Sequence, residues 1–163
     1  MEKSAQRIGE ILIAKGYITE AQLHDALLDQ KMSDKFLGMI LKEKGIVTDQ
    51  ELTEALAQQF NLPIVDLKTE HIDMELARRF STSLIVDHKC FPLRDDDYSV
   101  TVAIINPLNA VAISKLEEEA SPRTVNLVLA NEPDLNDLIK NYRLYISQSI
   151  QRLLKRKPGD PTP

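Results

Sequence analysis

The sequence has one cysteine, no tryptophan, five glycines and 5 % aromatic residues, and it carries no excess of positive charge. Each shortage excludes a class. Cys90 has no second cysteine to pair with, so the chain is not a disulfide-stapled scaffold and reads as cytoplasmic, in a reducing compartment. No stretch approaches the ~18 consecutive apolar residues of a membrane span. Met1 to Arg7 is charged and polar where a signal peptide needs an apolar run. With 20 Lys and Arg against 25 Asp and Glu, the net charge of -5 provides no field to gather a DNA or RNA polymer. What remains is ordinary globular composition: 43 % apolar and 28 % charged over 163 residues, enough for one domain or two small ones.

The most informative feature is an internal repeat. Arg7 to Gln30 (RIGEILIAKGYITEAQLHDALLDQ) aligns with Phe36 to Gln59 (FLGMILKEKGIVTDQELTEALAQQ) at an offset of 29, with ten of 24 positions identical. Unrelated segments of this composition share roughly one or two. The identities include Gly9/Gly38, Gly16/Gly45, Leu23/Leu52, Leu27/Leu56 and Gln30/Gln59.

Each copy reads as a helical hairpin. Ile8, Ile11 and Leu12 form an i, i+3, i+4 stripe, and Gly16 stops the helix where positive φ is needed. Thr19 with Gln22 then makes a capping box ahead of Leu23, Ala26 and Leu27. The second copy repeats this with Leu37, Ile40 and Leu41, then Gly45, then Thr48 with Glu51, then Leu52, Ala55 and Leu56. Two such hairpins are expected to pair about a local two-fold.

Asn61-Leu62-Pro63 ends the repeat, because proline does not continue a helix, and sets an expected boundary between residues 1–60 and 61–145. Beyond it the pattern predicts a strand at Ile64 to Leu67, helices at Met74 to Phe80 and Thr82 to Asp87, and a β-hairpin of Cys90 to Leu93 with Ser99 to Ile105 turning at Asp95 to Asp97. A helix at Pro107 to Glu119, a strand at Thr124 to Leu129 and a helix at Pro133 to Tyr145 follow. The fold class is therefore α+β: an all-helical subdomain of two tandem hairpins followed by a small α/β sandwich. Residues 146–163 read as an amphipathic basic linker helix (ISQSIQRLLKRK) and a tail (PGDPTP).

Gly9 and Gly38 sit in the first turns of otherwise good helices, where each costs about 0.5–1 kcal/mol relative to Ala. The paired cost suggests bare backbone near a helix start, open to an anion such as phosphate, twice and by symmetry.

This doubled pattern of Leu or Ile, Gly, a second Gly seven residues on, two leucines and a terminal Gln resembles the MshEN domain, the cyclic-di-GMP-binding N-terminal domain of type II secretion and type IV pilus assembly ATPases. The resemblance is most specific over Arg7 to Gln59 and looser through Tyr145. It implies that the two copies together bind one cyclic-di-GMP, with no other cofactor and no metal. Arg7 would present its fork to guanine O6 and N7. Gln30 and Gln59 would meet base edges, and Ile8, Leu23, Leu27, Leu37, Leu52 and Leu56 would supply apolar surface. Gly9, Gly16, Gly38 and Gly45 complete the expected site. The second copy departs from the first at Phe36, which stands where the first has Arg7; it offers a ring to stack on a base instead of a fork. Lys35, one position earlier, offers charge without bidentate geometry.

The implied partners are an ATPase motor domain and inner-membrane platform proteins, through which the chain would lie peripheral to that membrane. No GxxxxGK[ST] loop is present, so this chain is expected to be a regulatory module and not itself an enzyme. His24, His71 and His88 lack metal-ligand spacing, and His88 with Cys90 has no orienting acid for nucleophilic work. Asn106 ahead of Pro107 reads as a turn residue. The alternative to a sensor is a docking module that joins such an ATPase to its platform protein without binding nucleotide.

Overall fold

The structure is a computed structural model that describes residues 7–155. Four helices form the tandem hairpins: α1 (Ile8–Ala14) with α2 (Glu20–Lys31), and α3 (Leu37–Glu43) with α4 (Asp49–Phe60). Their ends follow from local chemistry. Gly16 and Gly45 take φ of 74° and 68°, and the chain leaves each helix through a bond from Tyr17 N to Leu12 O and from Ile46 N to Leu41 O. Thr19 Oγ1 accepts from Gln22 N while Gln22 Oε1 accepts from Thr19 N; Thr48 and Glu51 repeat the exchange.

The hairpins pack across each other, α1 on α4 and α2 on α3, which is the arrangement a local two-fold requires. Their shared core is itself two-fold. Its buried members are Ile11 and Ile40, Leu12 and Leu41, Ile18 and Val47, Ala26 and Ala55, each pair 29 residues apart. Gly9 and Gly38 are buried in this packing. A Cβ on Gly9 would lie 2.7 Å from Leu23 Cδ1, and one on Gly38 would lie 2.6 Å from Leu52 Cδ1. The expected bare backbone is thus covered: the missing side chains let α2 approach α1, and α4 approach α3. Helices of seven residues with covered starts are not phosphate cradles.

The remainder comprises α5 (Met74–Ala77), α6 (Thr82–Val86), β1 (Phe91–Asp95), β2 (Ser99–Ile104), α7 (Ala110–Ala120), β3 (Thr124–Leu129) and α8 (Glu132–Leu154). The sheet order is β1-β2-β3, with β1 antiparallel and β3 parallel to the central β2. The hairpin turn is held by Asp96, whose carboxylate accepts from the Tyr98 and Ser99 amides. Val100, Val102, Ala103 and Ile104 of β2 are buried, and Phe91 meets Tyr142 of α8 edge-on at 5.7 Å. This mixed α+β architecture is the one expected from the sequence.

Several boundaries differ from expectation. Ile64 to Leu67 contributes a single bridge to Leu129, since Pro63 lacks an amide and Asp66 already turns the chain by accepting from Lys68 N. The helix at Met74 ends at Ala77, close to the cap of the next one, where Ser81 Oγ accepts from Leu84 N. Asn109, not Pro107, opens α7 by accepting from Ala112 N. Helix α8 runs unbroken through Tyr145 and Ile146, because neither Gly nor Pro interrupts it. Arg156, Lys157 and the tail lie outside the described residues. Leu56 and Phe60 of α4 are part of the sheet-bearing core, so the two subdomains share packing across residue 60. Among the described residues no helix is long and apolar enough to cross a membrane.

Candidate functional site

Between the tandem hairpins and the α/β subdomain lies a cleft of about 680 Å³, within the range of small-molecule sites. One wall comes from the repeats. Arg7, Ile8, Gly9, Leu23, Leu27 and Gln30 line it from the first copy, and Phe36, Leu37, Gly38, Leu52, Leu56 and Gln59 from the second. Gly16 and Gly45 do not; they serve the far ends of α1 and α3 as helix stops. Gly9 and Gly38 reach the lining as close-packed backbone under Leu23 and Leu52.

The opposite wall was not among the expected ligand contacts, although the sequence drew attention to His88, Cys90 and Asn106 for other reasons. It is formed by Asp87 to Cys90, Ile104 to Asn106, Leu108, Asn109, Ala112, Ile113 and Glu132. Lys42 and Asp49, also unforeseen, belong to the repeat side. Lys42 bonds Asp49 Oδ1 at 3.0 Å and also pairs with Glu132, whose Oε1 accepts from Lys89 Nζ at 2.7 Å. This bridge ties α3 to the start of α8 and to Lys89, a non-glycine residue at φ 52°. Burial pushes the Glu132 carboxyl up, but the two ammonium groups outweigh it and hold the carboxyl below its ordinary range. Burial likewise pulls Lys42 down, and Glu132 with Asp49 more than offsets it. The one signal available in the sequence was a break in the internal symmetry, since Lys42 stands where the first copy has Ile13.

The two repeat glutamines differ in state. Gln30 Nε2 donates to the Lys35 carbonyl at 3.2 Å. Gln59 is 5 % exposed, and its Oε1 is buried without a hydrogen-bond partner among the described residues. A buried acceptor left empty costs about 1–3 kcal/mol, so a donor arriving in the cleft would be favoured there. Arg7 is exposed at the start of α1, its amide held by Glu10 Oε2 at 3.1 Å. Asn106 Oδ1 accepts from Leu108 N at 2.9 Å, a turn role.

The cleft has no excess of positive charge: Arg7, Lys42 and Lys89 face Glu10, Asp49, Asp87 and Glu132. The site therefore suits a ligand held by shape, stacking and directed hydrogen bonds more than by field. Cys90 is unsuited to nucleophilic work. It is buried, and its thiol is pushed up to about 12 by burial, with a smaller contribution from Glu119.

The MshEN domain family matches residues 60–156. A type IV pilus assembly ATPase, PilB of Myxococcus xanthus (strain DK1622), is 24 % identical over 148 residues, covering 91 % of this chain; the chain spans 26 % of that protein's length. The solved structure of MshE with cdg superposes with a TM-score of 0.75 at 27 % identity, over 84 % of this chain and 99 % of the other. That coverage exceeds what residues 60 to 163 supply, so the likeness extends into the tandem hairpins. The N-terminal domain of XpsE shares the fold, with a TM-score of 0.67 at 20 % identity over 86 % of this chain and 97 % of the other.

Proposed function

Because the chain belongs to the MshEN domain family, we propose that it is a non-catalytic module that binds cyclic-di-GMP in the cleft and thereby regulates a secretion or pilus-assembly ATPase. The observation that carries this reading is the unpartnered Gln59 Oε1 on the repeat-built wall of a largely apolar cleft. Guanine supplies the missing donor through N1–H or its amino group. Arg7 answers the O6 and N7 acceptors of the same base type, and Leu23, Leu27, Leu37, Leu52 and Leu56 flank the rings. The complex of MshE with cdg supports the choice of ligand.

A ligand that touches both walls favours the arrangement in which they are held together, and this differential affinity is what a sensor transmits to an attached motor domain. Platform proteins of the inner membrane are the downstream partners. Because the cleft's three cations are offset by four carboxylates, binding should depend only modestly on salt.

A second reading draws on Leu28, Met32 and Met39, which are exposed on the first hairpin and at the start of the second. An apolar surface of this kind suits a docking module that does not need nucleotide. Titration calorimetry separates the two. The sensor binds cyclic-di-GMP at micromolar concentration or tighter and loses about tenfold or more in Arg7→Ala. Absence of heat from the folded chain at ~1 mM ligand, weaker than about -4 kcal/mol, leaves the docking module.

A further inference from the structure

We infer that the cleft reads one base of its ligand strictly and the other loosely, so that it accepts cyclic dinucleotides carrying one guanine and a second purine of either kind. This rests on the reading of the cleft as a cyclic-dinucleotide site. The hairpins cross, α1 on α4 and α2 on α3, and with the local two-fold this pairs the start of each copy's first helix with the last turn of the other copy's second helix. Two contacts agree with that pairing. Gln30 reaches the carbonyl of Lys35, the neighbour of Phe36, and Ile8, the neighbour of Arg7, packs against the cluster that holds Leu56 and Phe60. Arg7 and Gln59 therefore serve one base, and Phe36 and Gln30 the other.

The two ends are chemically unequal. At the first, a guanidinium fork and an empty buried acceptor complement guanine, which offers O6 and N7 as acceptors and N1–H and N2–H as donors. Adenine presents an amino donor where guanine has O6, so the fork opposes it. At the second end Phe36 has no polar atom, and its ring stacks on any base. Gln30 Nε2 is already engaged by the Lys35 carbonyl. Lys35 does not replace the absent fork, because both carboxylate oxygens of Glu43 hold its Nζ, at 2.7 and 2.9 Å. Gln30 keeps its Oε1 and its second Nε2–H open, and an amide that can present either group meets a carbonyl or an amino group on the purine ring alike. The discrimination of about 5- to 150-fold that a bidentate arginine gives per base is thus available once.

The test is calorimetric titration of the full chain with cyclic-di-GMP, the 3′,3′-cyclic GMP–AMP hybrid and cyclic-di-AMP, on wild type and Phe36→Arg. Phe36 is 39 % exposed, so the variant keeps its fold, which circular dichroism checks. The hybrid should bind wild type within about threefold of cyclic-di-GMP and cyclic-di-AMP at least about tenfold more weakly, while Phe36→Arg opens a gap of about fivefold or more against the hybrid. Wild type that binds cyclic-di-GMP and rejects the hybrid by about tenfold or more overturns the inference and leaves the ligand reading standing. Failure to bind any of the three removes both.

Discussion

The two hairpin copies share a core and diverge at the cleft. In the first copy Leu27 is 41 % exposed and Leu28 47 %; in the second, Leu56 and Phe60 are 5 % and 6 % exposed, enclosed by the sheet-bearing subdomain. Gln30 makes a local bond to the linker, whereas its counterpart Gln59 is buried with an empty acceptor. Ile13 is a packing residue, whereas Lys42 anchors the bridge to Glu132. Duplication supplied two equal units, and contact with a single unduplicated neighbour made one a foundation and left the other open. Position within the assembly, more than sequence, decides what each repeat residue does.

Three measurements break or sharpen that contrast. The largest effect is expected from Leu56→Ala, which opens a hole in the shared core and should cost about 2–5 kcal/mol in urea unfolding, against less than about 1 kcal/mol for Leu27→Ala. Equal losses would mean the first copy is as enclosed as the second. Next comes the ion bridge that only the second copy possesses. Glu132 has its folded pKa held down, so its stabilisation is present at neutral pH and is lost as pH falls through the ordinary glutamate range toward the folded value. Lys42 has its folded pKa raised, so its share is present below the ordinary lysine range and is lost as pH rises through the folded value. Glu132→Gln should lower stability by about 1 kcal/mol at pH 7 and flatten the acid limb of a stability–pH profile; an unchanged limb would remove the bridge as a source of it.

The smallest effect concerns the glutamines. Gln59→Leu removes an unpaired buried acceptor, so thermal unfolding should show stability unchanged or raised by about 0.5 kcal/mol while ligand affinity falls about tenfold. Gln30→Leu should lose a few tenths of a kcal/mol with the Lys35 bond. A destabilised Gln59→Leu would show that the buried amide already has a structural partner.

The hairpins were legible because their signals are local. A glycine at positive φ, a threonine cap and an i, i+3, i+4 stripe act within a few residues, and the helix bounds around Gly16, Thr19, Gly45 and Thr48 follow from them. Gly9 and Gly38 show the limit of that reasoning. Propensity registers that a side chain is missing, but whether a ligand or Leu23 fills the space depends on helix packing that no window contains. The far wall of the cleft was invisible for the same reason, since Lys42 and Glu132 lie 90 residues apart. The expected break after Tyr145 mistook a change of composition for a change of conformation, although no helix breaker stands there.

The paired core residues have a practical corollary. Ile11 and Ile40, or Ala26 and Ala55, are the same amino acid in the same local setting, one copy remote from the sheet and the other attached to it. Each position comes with a built-in twin, so identical changes made separately in the two copies report, by subtraction, how much rigidity the neighbouring subdomain lends. The chain is its own reference sample.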